Sequence, residues 1–173
     1  MNQNLTVVIL GSTGSIGTQG LDVIARHRDR FTVVGLAAGG AHVALLAKQA
    51  AEFQVPQVAV YRTDVVPGLR EALDRAGAVT TQIQAGPDAV EAVAGCGAAV
   101  VLNGITGSIG LKPSIAALKA GSQLALANKE SVVAGGNLLF SAQTRDNRSI
   151  RWIPSIPRSG SRCAPAHTPR SRA

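Results

Sequence analysis

The run Leu5–Leu10 (LTVVIL) passes directly into Gly11-Ser-Thr-Gly14-Ser-Ile-Gly17, and apolar residues at helical spacing follow. An apolar, β-branched run of this length reads as a buried strand. Ile16–Arg26, with Ile16, Leu21, Val23, Ile24 and Ala25 on one face, reads as a helix. Three glycines spaced GxxGxxG between a strand and a helix are a variant of the dinucleotide-binding turn. Gly11 allows the tight turn off the strand, Gly14 lets the backbone approach a pyrophosphate, and Gly17 lets the helix pack on the sheet. Thr13, Ser15 and the open N–H groups of the first helical turn can bind phosphate oxygens, aided by the helix dipole. The alternative is a glycine-rich turn with no ligand; the position between strand and helix favours the nucleotide.

The same alternation continues along the chain. Phe31–Ala38 reads as a second strand, Val43–Phe53 as a helix rich in Ala and Leu, and Gln57–Tyr61 as a third strand. Helices are expected over Val65–Ala76 and Pro87–Val93, with a weak strand at Thr80–Ile83 between them. Ala98–Leu102 is a further strand and Leu111–Ala120 a helix, with Pro113 in its first turn, where the missing N–H is harmless. Gln123–Ala127 closes the strands and Ser131–Ala142 the helices. Strands alternating with helices imply a parallel sheet covered on both faces. The expected fold is α/β, a doubly wound Rossmann-like sheet with helices on both sides.

Net charge is +7, but it is unevenly spread. Residues 1–144 carry ten Lys and Arg against nine Asp and Glu, whereas residues 145–173 carry seven Arg against one Asp. Four of the eight prolines, Pro154, Pro157, Pro165 and Pro169, also fall in the second segment. Two regions are therefore expected: a folded domain over 1–144 and a basic Ser/Pro/Arg-rich tail over 145–173 that is disordered. Because the positive charge belongs to the tail, a nucleic-acid-binding function is disfavoured. No apolar run reaches membrane-spanning length and no basic n-region opens the chain, so a cytoplasmic protein without a membrane partner is expected. Cys96, Cys163, His27 and His167 show no metal-ligand spacing.

Two further stretches bear on the ligand. An NAD site places Asp or Glu at the end of the second strand, roughly 20 residues beyond the glycines. Here Leu36-Ala-Ala-Gly39-Gly40-Ala-His42 carries no carboxylate, so NADP is favoured over NAD. No arginine marks that spot, which leaves His42 or a backbone N–H to meet a 2′-phosphate. After the last strand, Asn128-Lys129-Glu130 stands where ligands of open α/β sheets bind. The same residues also suit a solvated helix start, with Asn128 as N-cap and Glu130 favourable to the dipole.

LGSTGSIG followed by LANKES, with about 110 residues between, resembles the 1-deoxy-D-xylulose 5-phosphate reductoisomerase family. The resemblance runs from about Leu5 to Ala142 and includes LDVIARHRDRFTVVGLAAG and Ala116-Ala-Leu-Lys-Ala-Gly121. It implies an NADP-dependent oxidoreductase of non-mevalonate isoprenoid biosynthesis, using NADPH and a divalent metal, Mg²⁺ or Mn²⁺, and acting as a homodimer. It assigns Thr13, Gly14, Ser15 and Ile16 to the NADPH phosphates and neighbouring groups, and Gly39 with Gly40 to the adenosine ribose phosphate. Asn128 and Glu130 would hold the cofactor, and Lys129 the sugar phosphate substrate. After Gly39 the family often shows a polar or basic residue and then Asn, where this chain has Gly40-Ala41-His42.

A larger departure lies in the tail. The family continues into a motif like PVDSEHSAI, whose Asp and Glu are metal ligands, and then into a catalytic domain. Neither is present here. Arg151-Trp-Ile-Pro-Ser-Ile-Pro-Arg-Ser159 can be encoded as CGG TGG ATT CCG AGC ATT CCG CGA TCT. Read from the third base, that string gives VDSEHSAI. A change of reading frame between about Gln143 and Arg148 is therefore expected, and with it a chain that binds cofactor, lacks the metal ligands and does not turn over. A non-catalytic nucleotide-binding module is the alternative function.

Overall fold

A computed structural model describes residues 4–127, 138–139, 141 and 150–152. Its strands are β1 (Leu5–Leu10), β2 (Phe31–Ala38), β3 (Gln57–Val60), β4 (Gln82–Ala85), β5 (Val100–Asn103), β6 (Gln123–Leu126) and β7 (Ile150–Trp152). Between them lie α1 (Ser15–Ala25), α2 (Val43–Glu52), α3 (Val66–Ala76), α4 (Pro87–Ala94) and α5 (Leu111–Lys119), the last preceded by a 3-10 turn at Ser108–Gly110. All strand pairs are parallel, in the order β4-β3-β2-β1-β5-β6-β7.

Period-two alternation along β1 sorts the core into two layers. Val7 and Ile9 pack with Leu21 and Ile24 of α1, Leu46 and Ala50 of α2, and Leu69 and Leu73 of α3. Val8 and Leu10 pack on the opposite face with Val90 and Val93 of α4, Leu118 of α5 and Leu139. The division follows from crossover handedness. From β1 to β4 the chain steps one way along the sheet with helices on one face. It then returns past β1 to β5 and β6, and the same handedness places α4 and α5 on the other face. Where α4 crosses β2 there is no room for a side chain, since a Cβ on Gly35 would lie 2.8 Å from Val93 Cγ1.

The expected doubly wound α/β fold is the observed one. Two strands begin later than the alternation of residues suggests. β4 starts at Gln82 because Thr81 is turned inward, its Oγ1 donating to the Val55 carbonyl at 2.8 Å. β5 starts at Val100 because the Ala99 N–H donates to the Thr6 hydroxyl at 2.9 Å, a side-chain tie in place of a ladder bond. Of the helix expected over 131–142, Leu138, Leu139 and Ser141 are helical and the rest lies outside the described residues. Ile150–Trp152 pairs with Leu124–Leu126, so at these three residues the tail departs from the expectation of disorder and extends the sheet.

Candidate nucleotide-binding cleft

Strand order reverses between β1 and β5, and the carboxyl ends of these strands open a crevice of about 450 Å³. One wall is the turn from β1 into α1. Gly11 leaves the strand at φ 76°, a left-handed conformation that favours glycine, and the N–H groups of Gly11 and Ser12 both donate to the Ala37 carbonyl. Gly11 also abuts the opposite wall, where a Cβ would fall 3.0 Å from the Gly104 carbonyl carbon. Gly14, Ser15 and Ile16 line the crevice. The α1 N-cap, Gly14, makes no side-chain capping bond, and no acidic residue occupies the first turn. The first N–H groups of α1 therefore meet the crevice without an intrahelical acceptor or a competing carboxylate.

Gly17 does a different job from the one its spacing suggests. A Cβ there would lie 2.3 Å from the Gly11 carbonyl oxygen and 2.5 Å from Ser12 Cα, so the helix seats on the turn itself. Contact with the sheet falls to Gly20, whose Cβ would meet Leu102 Cδ2 at 2.6 Å. Gly39 lines the crevice at the end of β2, with Ala38 and with Tyr61 from the end of β3. Gly40, at φ 103°, Thr13 and Gly17 are not among the residues that line it. Asn128, Lys129 and Glu130 lie outside the described residues; Ala127, just before them, donates its N–H to the Asn103 carbonyl at 3.1 Å.

The second wall, Gly104, Ile105, Thr106 and Ile109, was not visible as a site in the sequence. It is braced from below by Asn103, which is fully buried. Asn103 Nδ2 donates to the Gly110 carbonyl at 2.9 Å and the Ser114 hydroxyl at 2.7 Å, and Oδ1 accepts from the Ile105 N–H at 3.0 Å. An asparagine ending an apolar strand, followed by Gly104 and Gly107, is the signal that could have found it. On the first wall, Gln49 of α2 supplies a similar brace, its Nε2 donating to the Ser12 carbonyl at 2.9 Å in the interior.

Charge at the crevice is sparse. Just beyond Tyr61, Arg62 is paired with Asp64 through Nε, at 3.1 Å, and through Nη2. These hydrogen bonds hold the Asp64 carboxyl below the usual carboxylate value and raise the guanidinium above its own. Among the described residues no group of three His, Cys, Asp or Glu could hold a metal ion, and no helix is long and apolar enough to cross a membrane.

A glycine-walled crevice at the reversal point of a parallel sheet defines a doubly wound domain of the dinucleotide-binding class. The family profile of 1-deoxy-D-xylulose 5-phosphate reductoisomerase matches residues 7–136, and the chain belongs to that family. The reductoisomerase of Bifidobacterium longum subsp. infantis is 72% identical over 145 residues, which are 84% of this chain and 37% of the relative. That of Beutenbergia cavernae is 56% identical over 148 residues, 84% and 36% of the two chains. The Zymomonas mobilis enzyme, solved in complex with NADPH, superposes with a TM-score of 0.75 at 38% identity, over 81% of this chain and 36% of that one. A DOX-P reductoisomerase solved with NADPH, fosmidomycin and magnesium gives 0.74 at 32% identity, over 80% and 33%. The chain thus spans a little over a third of the length of these relatives.

Proposed function

We propose that this chain is the NADPH-binding portion of a reductoisomerase that converts 1-deoxy-D-xylulose 5-phosphate to 2-C-methyl-D-erythritol 4-phosphate. The observation that carries the reading is the uncapped start of α1 opening between Gly14, Ser15 and Ile16 into the crevice. A pyrophosphate there accepts hydrogen bonds from the first-turn N–H groups and gains from the helix dipole. The missing side chain at Gly14 admits it, and Thr13 and Gly17 shape the turn beneath. Gly39 and Gly40 border the adenosine ribose, and Gly11 and Gly104 let the two walls meet. When bound, NADPH supplies hydride.

Asn128 and Glu130 complete the cofactor contacts in this reading, and Lys129 meets the sugar phosphate. The described residues do not fit a divalent metal, and the acidic ligand motif of the family is not present in residues 145–173, so the metal has no part in this reading. That segment, 145–173, is read as out of frame, because Arg151–Ser159 can be encoded by codons that read VDSEHSAI from the third base. The reading carries with it a cytoplasmic homodimeric enzyme of small-molecule metabolism, with no nucleic-acid or membrane partner.

Titrating the purified 173-residue chain with NADPH, followed by cofactor fluorescence, tests the core of this proposal. Saturable binding without NADPH oxidation on adding sugar phosphate and Mg²⁺ is expected. Absence of saturable binding would sink the reading. Sequencing the gene across codons 140–155, and finding no frame that yields the acidic motif, would remove the frame change alone.

A further inference from the structure

The β2–α2 turn carries no basic residue other than His42, yet the sheet brings an arginine to it from another strand. β3 lies beside β2, and the Tyr61 N–H donates to the Ala38 carbonyl at 3.0 Å, tying the exit of β3 to the exit of β2. The next residue is Arg62. A Cβ on Gly40 would lie 3.2 Å from Arg62 Cβ and 3.1 Å from Val65 Cγ2, so the base of the arginine side chain stands against this glycine. The guanidinium is fixed by two hydrogen bonds to Asp64, from Nε and Nη2, and Nη1 has no partner among the described residues. Both side chains are more than half exposed, so an incoming anion reaches them without opening the core.

We propose that Arg62 is the residue that selects for the 2′-phosphate of NADPH in this chain. The inference rests on the cofactor reading above and adds to it the source of the specificity. A phosphate monoester on the adenosine ribose carries close to two negative charges and needs a charged, directional donor. A guanidinium supplies both, and an arginine near the end of β2 is the known alternative to an acidic residue there. Asp64 keeps the fork in place while leaving N–H groups for the phosphate. Gly40 is the other half of the device, because a side chain on it would push the Arg62 stem away. The first turn of α2, which has no acidic residue, adds the positive end of the helix dipole.

The test is a pair of equilibrium titrations, with NADPH and with NADH, on the full 173-residue chain and its Arg62→Ala and Arg62→Lys variants. Arg62→Ala should lose about tenfold or more in NADPH affinity, the scale of a charge-assisted contact, and leave NADH affinity unchanged. Arg62→Lys should recover part of the loss, and raising salt should narrow the wild-type preference. An unchanged NADPH-to-NADH ratio in Arg62→Ala, or equal losses for both cofactors, would overturn the assignment while leaving the cofactor reading intact. Failure of the wild-type chain to bind either cofactor would remove both together.

Discussion

The two walls of the crevice are built by opposite means. The Gly11–Gly17 wall is shaped by missing side chains: a turn at positive φ, a helix seated on backbone, and glycine against glycine across the reversal point. The Gly104–Ile109 wall is shaped by a side chain that is present, the buried Asn103, which satisfies Gly110, Ser114 and Ile105 at once. The first construction fails when an atom is added, and the second when atoms are removed. A wall of backbone offers N–H groups to a phosphate, whereas a braced loop offers a shaped apolar surface.

The largest expected effect comes from adding one carbon to the first wall. Gly17→Ala places a methyl group 2.3 Å from a backbone carbonyl that cannot rotate away. A loss of about 3 kcal/mol in urea unfolding is expected despite alanine's better helix propensity, with NADPH binding abolished. Next is Asn103→Ala, which removes the bonds from Asn103 Nδ2 to Gly110 and Ser114 and the bond that its Oδ1 accepts from the Ile105 N–H; about 2 kcal/mol is expected, with cofactor affinity weakened through the loosened wall. If Gly17→Ala proves milder than Asn103→Ala, the contrast between the walls is wrong.

Gly20→Ala sharpens the comparison, because its clash is with the flexible end of Leu102 and not with backbone. Stability within about 1 kcal/mol of wild type is expected, the helix-propensity gain offsetting the shift of Leu102. The smallest effect belongs to Asp64→Asn, outside both walls. The folded Asp64 pKa is depressed, so its contribution is present above the ordinary carboxylate value of about 3.9 and is lost as pH falls through the folded value. Exposed on the surface, the pair should leave the melting temperature at pH 7 unchanged within error.

Local chemistry was legible in the sequence and relayed chemistry was not. LTVVIL and GSTGSIG show a strand, a turn and a helix start because each residue acts on its immediate neighbours. The same holds for α3, where Pro67 stands in the first turn and Gly77 ends the helix in a left-handed cap. Thr81 and Thr6 shifted two strand starts because their hydroxyls bond to carbonyl and amide groups far along the chain. Asn103 fell outside the strand expected over Ala98–Leu102 and drew no reading, since its partners become neighbours only once α5 packs. Arg62 sits 22 positions after Gly40 and meets it only because β3 lies next to β2. Gly17 was expected to let the helix pack on the sheet, a contact that Gly20 makes.

The place of β1 at the centre of the sheet also sets an order of assembly. Its partner on one side, β2, begins at Phe31, close by in the chain; its partner on the other, β5, begins at Val100. The layer containing Val7 and Ile9 draws its fully buried members from residues up to Ala78, so one face of the nascent sheet can be covered early. Val8 and Leu10 wait for α4 and α5, and until then the opposite face stays wet and adhesive. The slow event is thus the distant closure of β5 onto β1, the step that also brings Gly104 against Gly11. A ribosome-bound chain halted before Val100 would hold half a sheet and no crevice, and it would be at its most aggregation-prone.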